Sequence, residues 1–522
     1  MKYICLIFIT ILFIICMLFE LQMLQQNVYN EKNKYFSFLM KDIKKNYNLY
    51  LLKFLFGLSL LFFTEFTNIL FLYFFVIMFI LLLSSYFSFI HHQEKLPLKY
   101  TKRLIRILSL DVIFYIIILL FIVKLNITYM CGILLLYISL NPFILILIIS
   151  LLTPVEKFIF NYYKGMALEK LNKMNNINII GITGSFGKTS TKMILESILS
   201  VKYKGFYTPN SFNTPNGVVM TINSQNTIFN DYFICEMGAR AKGEIKEICD
   251  IVKPKYGIIT SIGPAHLDTF KNIENICKTK FELAGSLPKD GILILNKDDE
   301  YMKKYKLSNK VKVIWIGIKN KADVMAKDIK ITNKGTTFKL CFGKDEIEVN
   351  TILLGEKNIY NILSSCALAK ELGLSLKEIK MGIKNIKPIS HRLEIKQVKN
   401  TVIIDDSYNS NPVGANNALD VLSLMEGKKI IITPGMVEMG KEEAKLNNEF
   451  GKKIAKVCDE IYLIGKERCK PIKEGILSVK PNAKIYEYNR FMLAYNDIMN
   501  TSGNKKCTIL IENDLPDLYT EE

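Results

Sequence analysis

The stretch Ile177-Asn178-Ile179-Ile180-Gly181-Ile182-Thr183-Gly184-Ser185-Phe186-Gly187-Lys188-Thr189-Ser190-Thr191 sets an apolar run, a glycine-bearing loop and a helix-like segment, Lys192 to Leu199, end to end. Strand, loop and helix in that order make a cradle for a polyphosphate. Glycines let successive backbone N–H groups turn inward, and the helix N-terminus adds its positive dipole. In such a loop the lysine reaches the outer phosphates and the following hydroxyl can ligate Mg²⁺. Gly184, Ser185, Gly187, Lys188, Thr189 and Ser190 are therefore the expected nucleotide-binding residues. Ile182 occupies the place five before Gly187 where the commonest phosphate loop has glycine, so the run reads TGxxGKT. By itself it implies only a nucleoside triphosphate.

Outward from this loop the composition changes sharply. Half of the 522 residues are hydrophobic, and before about residue 150 Ile, Leu and Phe dominate. From about residue 160 the chain has the mixed apolar and charged character of an α/β protein. The expected organisation is a transmembrane region (1–153), an amphipathic linker (154–176), a central ATP-binding domain (177–395) and a C-terminal α/β domain (396–522). Apolar stretches at Ile4 to Leu21, Leu51 to Phe63, Asn68 to Phe89, Ile107 to Val123 and Tyr129 to Leu152 predict five crossings, or four if the short second one is re-entrant. Asp111 reads as a residue at a span end, where helix capping accounts for it.

Lys32, Lys34, Lys41, Lys44 and Lys45 in one loop, and Lys95, Lys99, Lys102, Arg103 and Arg106 in another, predict that both face the cytoplasm. The N-terminus is then outside, and everything after the last span is cytoplasmic in a multi-pass protein of the cell membrane. The formal net charge of +19 comes from lysines scattered along the chain, with no basic run interleaved with aromatics. Nucleic acid is not an expected partner; anionic lipid is. Eleven cysteines contain no CxxC pair and read as buried thiols in a reducing compartment.

In the latter part, the runs Tyr232 to Glu236, Tyr256 to Ile262, Gly291 to Leu295 and Val311 to Ile316 alternate with helical stretches. That pattern predicts a mostly parallel sheet covered on both faces. Asp323 to Leu354 alternates with period two and reads as a small antiparallel insertion; from Thr401 a second, Rossmann-like α/β pattern begins. Glu236 and His266 each follow an apolar strand, where an open parallel sheet places its ligands, so the pair is a candidate metal site beside the triphosphate.

The segments GITGSFGKTSTK (181–192), EMGARAKGEIKEI (236–248), GPAHLDTF (263–270), KTKFE (278–282), GEKNIYN (355–361), HRLE (391–394) and DDSYNSNP (405–412), in this order, resemble the Mur ligase family of cell-wall peptide synthetases. The resemblance covers about residues 177 to 465, and DDSYNSNP points to the branch that adds D-alanyl-D-alanine to a muramyl tripeptide. It implies an ATP-dependent amide ligase that activates a carboxylate as an acyl phosphate for attack by an amine. The partners would be a carboxylate-bearing cell-wall precursor and an amino acid or dipeptide.

By motif, the resemblance gives the phosphates to Lys188, a first Mg²⁺ to Thr189 and Glu236, and a second to His266. Lys280 matches a lysine that relatives carbamylate as a metal ligand. Only a neutral amine reacts with CO₂, so such a site must lower the lysine pKa or trap the carbamate. Asn358, Arg392 and Asp406 match nucleotide contacts; Asn213, Thr214, Tyr408, Asn409 and Asn411 would lie near the substrates, with a capping turn as the other reading of 409–412.

The pattern breaks in four places, one of them Thr433 to Gly440, which departs from the family's glycine-aspartate turn. Membrane helices stand where the family has its UDP-binding domain, Pro215 and Asn216 alter the substrate-side loop, and Glu512-Asn513-Asp514 replaces a lysine-glycine-serine ending. Beside the peptidoglycan ligase, two other functions stay open: a ligase for another envelope polymer or lipid-linked precursor, and a non-ligating ATP-dependent membrane scaffold or transporter component.

Overall fold

In the computed structural model the described residues are 2–26, 36, 39–40, 47–63, 67–91, 98–174, 176–408, 410–437, 439–502 and 506–513. The chain divides into two compact units, Met1–Asn161 and Tyr162–Glu522.

The first unit is helical: α1 (Lys2–Gln26), α2 (Tyr47–Leu60), α3 (Asn68–His91), α4 (Lys102–Ile122) and α5 (Ile127–Lys173), the last running on past the boundary. A helix lies over each of the five expected crossings. Among the described residues three helices, Tyr3–Gln25, Lys102–Ile122 and Ile127–Lys173, are long and apolar enough to cross a membrane; Asn48–Leu60 and Leu72–Tyr86 are shorter apolar stretches. At 1.5 Å per residue the 14 residues of α2 span about 21 Å, short of the roughly 30 Å hydrocarbon layer. Lys53 lies inside α2, buried with its Nζ 3.2 Å from Cys16 Sγ. The expected linker is not a separate helix: residues 154–173 continue α5, which contains Pro142 and Pro154. Most of the two lysine-rich loops, and Glu65, lie outside the described residues.

Close packing in this unit has identifiable causes. A Cβ on Gly132 would stand 2.8 Å from the Gly57 carbonyl oxygen, so α2 and α5 approach backbone to backbone through two glycines. Phe13 stacks on Tyr115 at 4.2 Å. Asp111 is no helix cap. It is the tenth of 21 residues in α4 and fully buried, its Oδ1 accepting from Tyr137 Oη at 2.6 Å and from Asn141 Nδ2 at 2.8 Å.

The second unit holds two sheets. The larger runs β2-β3-β1-β4-β5-β6-β7-β8-β9, with β1 Asn178–Thr183, β2 Gly205–Tyr207, β3 Tyr232–Glu236, β4 Tyr256–Ile259, β5 Ile292–Asn296, β6 Lys312–Gly317, β7 Val324–Thr332, β8 Gly335–Phe342 and β9 Asp345–Thr351. Its strands are parallel from β2 through β7 and antiparallel from β7 to β9. The expected insertion at 323–354 therefore extends this sheet, because β7 continues it by pairing with β6. Ile180 and Ile182 of β1 enter a core shared with Ile194, Leu195 and Ile198 of α6 (Lys188–Leu199) and with the helix Glu356–Glu371.

The smaller sheet runs β10-β11-β15-β12-β13-β14, with β10 Glu394–Val398, β11 Thr401–Asp406, β12 Lys428–Thr433, β13 Glu460–Ile464, β14 Lys484–Tyr488 and β15 Cys507–Glu512. All its pairs are parallel except β10 with β11. All eleven cysteines are free and buried.

Candidate active site

The loop after β1 is shaped by two glycines that only glycine can replace. Gly184 has φ 146° and Gly187 φ 84°. A Cβ at Gly184 would stand 2.1 Å from Thr260 Oγ1, and one at Gly187 2.7 Å from Asn361 Oδ1. The loop is tied to the segment after β4: Ser185 N donates to Ser261 O (2.8 Å), Phe186 N to Ser261 Oγ (3.1 Å) and Ser185 Oγ to Gly263 O (2.9 Å). α6 starts at Lys188, four residues earlier than the apolar pattern predicts, because Gly187 in the left-handed region serves as its N-cap. Ser190 is buried in its first turn.

Lys188 Nζ curls back to donate to Gly184 O at 2.8 Å and Ser185 O at 3.3 Å. Burial lowers its pKa; Glu236 opposes that, and the Arg392 guanidinium adds to it. Lys188, Glu236 and Arg392, far apart in sequence, thus share one electrostatic neighbourhood.

Glu236, at the end of β3, is the hub. Its carboxylate accepts from Thr189 Oγ1 (3.1 and 3.2 Å), from Asn213 Nδ2 (3.1 Å) and from Lys192 Nζ (2.9 Å). Burial alone would raise its pKa, but Lys192 and Lys188 hold it below the ordinary carboxylate value. A hydroxyl and a carboxylate this close form the hard-oxygen donor set that suits Mg²⁺, so Thr189 and Glu236 fit the expected metal role.

Lys280, on the helix Ile273–Lys280, is buried, its Nζ 5.8 Å from the Phe270 ring centroid. Burial first, and Lys188 second, depress its pKa to about 7. His266 precedes the short helix Leu267–Phe270 at φ 52°, and its backbone oxygen accepts from Thr269 Oγ1 at 3.0 Å. Neither His266 nor Glu236 belongs to the one group of three ligand-bearing His, Cys, Asp or Glu side chains found among the described residues. That group is His391, Glu394 and Asp405, with ligand atoms within 4.8 Å of one another. Lys396 Nζ already sits 2.7 Å from Asp405 and 3.1 Å from Glu394, which makes it an ion-pair network.

On the nucleotide side, Asn358 Nδ2 donates to Leu354 O (2.8 Å), and its Oδ1 accepts from Asn361 Nδ2 (3.3 Å). Asn361 Oδ1 accepts from Thr191 Oγ1 (3.2 Å). This buried amide chain joins the helix Glu356–Glu371 to α6. Arg392 lies over the Tyr408 ring at 4.2 Å, and Tyr408 Oη hydrogen-bonds Ser211 Oγ of the substrate-side loop. Asp406 Oδ1 accepts from Leu393 N (3.1 Å). Its partner in the β11–β15 register is Glu512, whose Oε1 accepts from Ser410 Oγ at 2.7 Å. Burial raises both carboxyls, against the pull of Arg392 on Asp406 and of Ser410 on Glu512.

Two expected substrate residues do local work as helix caps. Thr214 Oγ1 accepts from Gly217 N (3.4 Å) and Asn411 Oδ1 from Gly414 N (2.8 Å). Asn409 lies outside the described residues.

Sequence reasoning missed Lys192 and Asn361. Both were legible by helical spacing: Lys192 lies one turn beyond Lys188 and Thr189, and Asn361 three residues beyond Asn358, so each shares a face with a recognised residue.

Two family models match the chain: the Mur ligase middle domain over residues 182–369 and the Mur ligase glutamate ligase domain over residues 391–506. The UDP-N-acetylmuramoyl-tripeptide–D-alanyl-D-alanine ligase of Escherichia coli (strain K12) is 32% identical over 288 residues, 54% of this chain and 64% of that protein. The ligase of the same name from Buchnera aphidicola subsp. Baizongia pistaciae is 31% identical over 333 residues, 63% of this chain and 71% of that protein. The chain thus spans just under two thirds of the first relative and somewhat more of the second. A crystal structure of MurF from Acinetobacter baumannii superposes with a TM-score of 0.62 at 25% identity, covering 68% of this chain and 77% of that one. MurF ligase from Thermotoga maritima in complex with ADP gives 0.62 at 24% identity, over 68% and 80%, a likeness of fold.

Proposed function

Since the chain belongs to the Mur ligase family of ATP-dependent amide ligases, we propose that it joins D-alanyl-D-alanine to a muramyl tripeptide in peptidoglycan precursor synthesis, anchored in the cell membrane by its first unit. The observation that carries this reading is the convergence of separate motifs. Lys188 and Thr189 meet Glu236, Arg392 acts on Lys188, and Lys188 acts on Lys280. A switch or scaffold needs nucleotide contacts alone and has no use for a buried lysine of depressed pKa. In the first unit, Phe62, Leu120 and Phe121 expose most of their surface, as lipid-facing side chains do. Length and apolar composition favour α1, α4 and α5 as membrane spans, and the lysines of the two basic loops favour the ligase unit on the cytoplasmic side.

In this reading Thr189 and Glu236 would hold Mg²⁺, which supplies neutralisation of phosphate charge during acyl transfer. His266 and a carbamylated Lys280 would serve a second ion. Lys188 holds the outer phosphates, with Ser185, Ser190, Asn358 and Asp406 lining the nucleotide. Arg392, over the Tyr408 ring at 4.2 Å, presents its guanidinium toward Lys188 and the phosphates. Asn213, fixed on Glu236, and Tyr408, bonded to Ser211, bring the substrate-side loop and the C-terminal domain to the same place, where the amine must reach the activated carboxylate.

The test is ATP-dependent phosphate release by the detergent-purified chain with Mg²⁺, bicarbonate, UDP-muramyl tripeptide and D-alanyl-D-alanine, with the product mass measured. A mass gain equal to the dipeptide less water, absent in Lys188→Ala, is expected. ATP binding with no such product refutes the substrate pair.

A further inference from the structure

Lys192 is the least expected group in the site. It is fully buried, and its ammonium has three acceptors: Glu236 Oε2 at 2.9 Å, Thr208 O at 2.7 Å and Asn210 O at 2.6 Å. Three protons meet three oxygens, so the charge is held in place rather than merely nearby. Glu236 and Lys192 side chains are both almost wholly shielded from solvent, at 2% and 1% exposure, so neither charge is screened by water.

We infer that Lys192 is a built-in counter-ion that cancels the charge of Glu236, so that this metal position takes up its divalent cation only together with the polyphosphate. The electrostatics are direct. One carboxylate and one hydroxyl make a weak site for a hard dication even at full charge, because affinity rises with the number of anionic ligands. Pairing the carboxylate with an ammonium leaves no net attraction, and the Lys188 ammonium next to it makes the position repulsive. A triphosphate supplies the missing negative charge. The same ammonium has a positioning role. By binding Thr208 O and Asn210 O it ties Glu236 to the segment that leads into Ser211–Thr214, and Asn213 returns from that segment to the other carboxylate oxygen. The carboxylate is thereby fixed from both sides.

This inference rests on Thr189 and Glu236 being the metal ligands, and its test reads metal uptake instead of ligation. The full chain in detergent is titrated with Mn²⁺, first alone and then with saturating ADP, and protein-bound ion is separated from free Mn²⁺ and Mn²⁺–ADP by rapid gel filtration and counted by electron paramagnetic resonance after acid release. In CO₂-free buffer, which leaves Lys280 uncarbamylated, wild type is expected to take up one Mn²⁺ per chain only with ADP. Lys192→Met is expected to take it up without ADP, at least tenfold more tightly than wild type. Lys192→Gln, whose amide can still donate to Thr208 O or Asn210 O, covers the case in which the apolar variant fails to fold. Lys192→Arg should behave as wild type, and Lys192→Gln combined with Glu236→Gln should lose the gained uptake. If wild type takes up Mn²⁺ equally well with and without ADP, or if Lys192→Gln binds ADP yet gains no nucleotide-free uptake, the counter-ion role is overturned. If wild type takes up no Mn²⁺ even with ADP, the ligand assignment itself fails.

Discussion

Lys280→Met should make the protein more stable while abolishing ligation. The folded chain holds Lys280 near pKa 7 against the ordinary 10.5, chiefly by burial. At 1.36 kcal/mol per pKa unit, the full cost of the burial is about 5 kcal/mol, borne wherever the unfolded chain is protonated and the folded chain must follow. Below pH 7 both states carry the proton and the whole cost is present. Between 7 and 10.5 the unfolded state binds more protons than the folded one, so stability rises with pH; above 10.5 the cost is gone. At pH 7.5 about 4 kcal/mol remains, and methionine, of similar length and uncharged, avoids it.

The assay is thermal unfolding of both proteins in detergent, at one scan rate and in CO₂-free buffer, from pH 6.5 to 10.5. The variant should melt several degrees above wild type near neutrality, and the gap should close as pH rises. A gap that is absent, reversed or flat with pH refutes the argument. The same depression serves function. At pH 7 about half of Lys280 is neutral, against about 3 in 10,000 for an ordinary lysine, so carbamate can form. Bicarbonate labelled with ¹³C should accordingly give a protein carbamate signal that Lys280→Met lacks.

Gly187→Ala should lose nucleotide binding, since alanine at φ 84° costs about 1–2 kcal/mol in backbone strain and meets Asn361; calorimetry with ADP checks it. Arg392→Lys keeps the charge and loses the guanidinium contact on Tyr408, worth about 0.5–2 kcal/mol, so kcat/KM should fall by roughly 2- to 30-fold in the phosphate-release assay. Asp111→Asn should be nearly neutral, whereas Asp111→Leu strands the Asn141 amide inside the first unit and leaves the Tyr137 hydroxyl only the backbone oxygen of residue 111, now 3.2 Å away; a loss of about 1–2 kcal/mol is expected on unfolding by titration with a denaturing detergent.

What the sequence carried clearly was whatever repeats a local rule. The alternation of apolar runs and helices put strands where β1, β3, β4, β12 and β13 lie, because parallel strands buried on both faces are continuous apolar segments. The glycines of the 184–187 loop were equally plain, since no other residue fits. Pairing partners were not legible. That β7 joins β6, turning an expected insertion into the edge half of a nine-stranded sheet, depends on which edge is open after folding. Asp111 was misplaced for a related reason: from sequence alone, Thr101 could not be recognised as the N-cap that starts α4 six residues before the apolar run and moves Asp111 to mid-helix. Thr214 and Asn411 show the converse, residues whose motif suggests a ligand and whose side chains close helix ends.

The arrangement of charge in the ligase unit explains why its lysines do not behave alike. Lys192 is spent on Glu236 and two carbonyls. Lys188 donates to loop carbonyls, attracted by Glu236 and pressed by Arg392, and Lys280 is pressed in turn by Lys188. A polyphosphate over Lys188 and Arg392 would relieve that mutual repulsion. Like any ligand that binds the folded chain alone, it would also stabilise the fold by mass action, about 2.7 kcal/mol at a hundredfold excess over Kd. The relief also reaches Lys280: covering Lys188 with phosphate removes the second cause of its depressed pKa and leaves burial, the first. Carbamate formation should therefore be favoured before the nucleotide arrives, and a bicarbonate requirement should be met by incubating the enzyme with bicarbonate ahead of ATP. If adding ATP first gives the same initial rate at low bicarbonate, Lys188 does not govern Lys280 and the coupling drawn here is wrong.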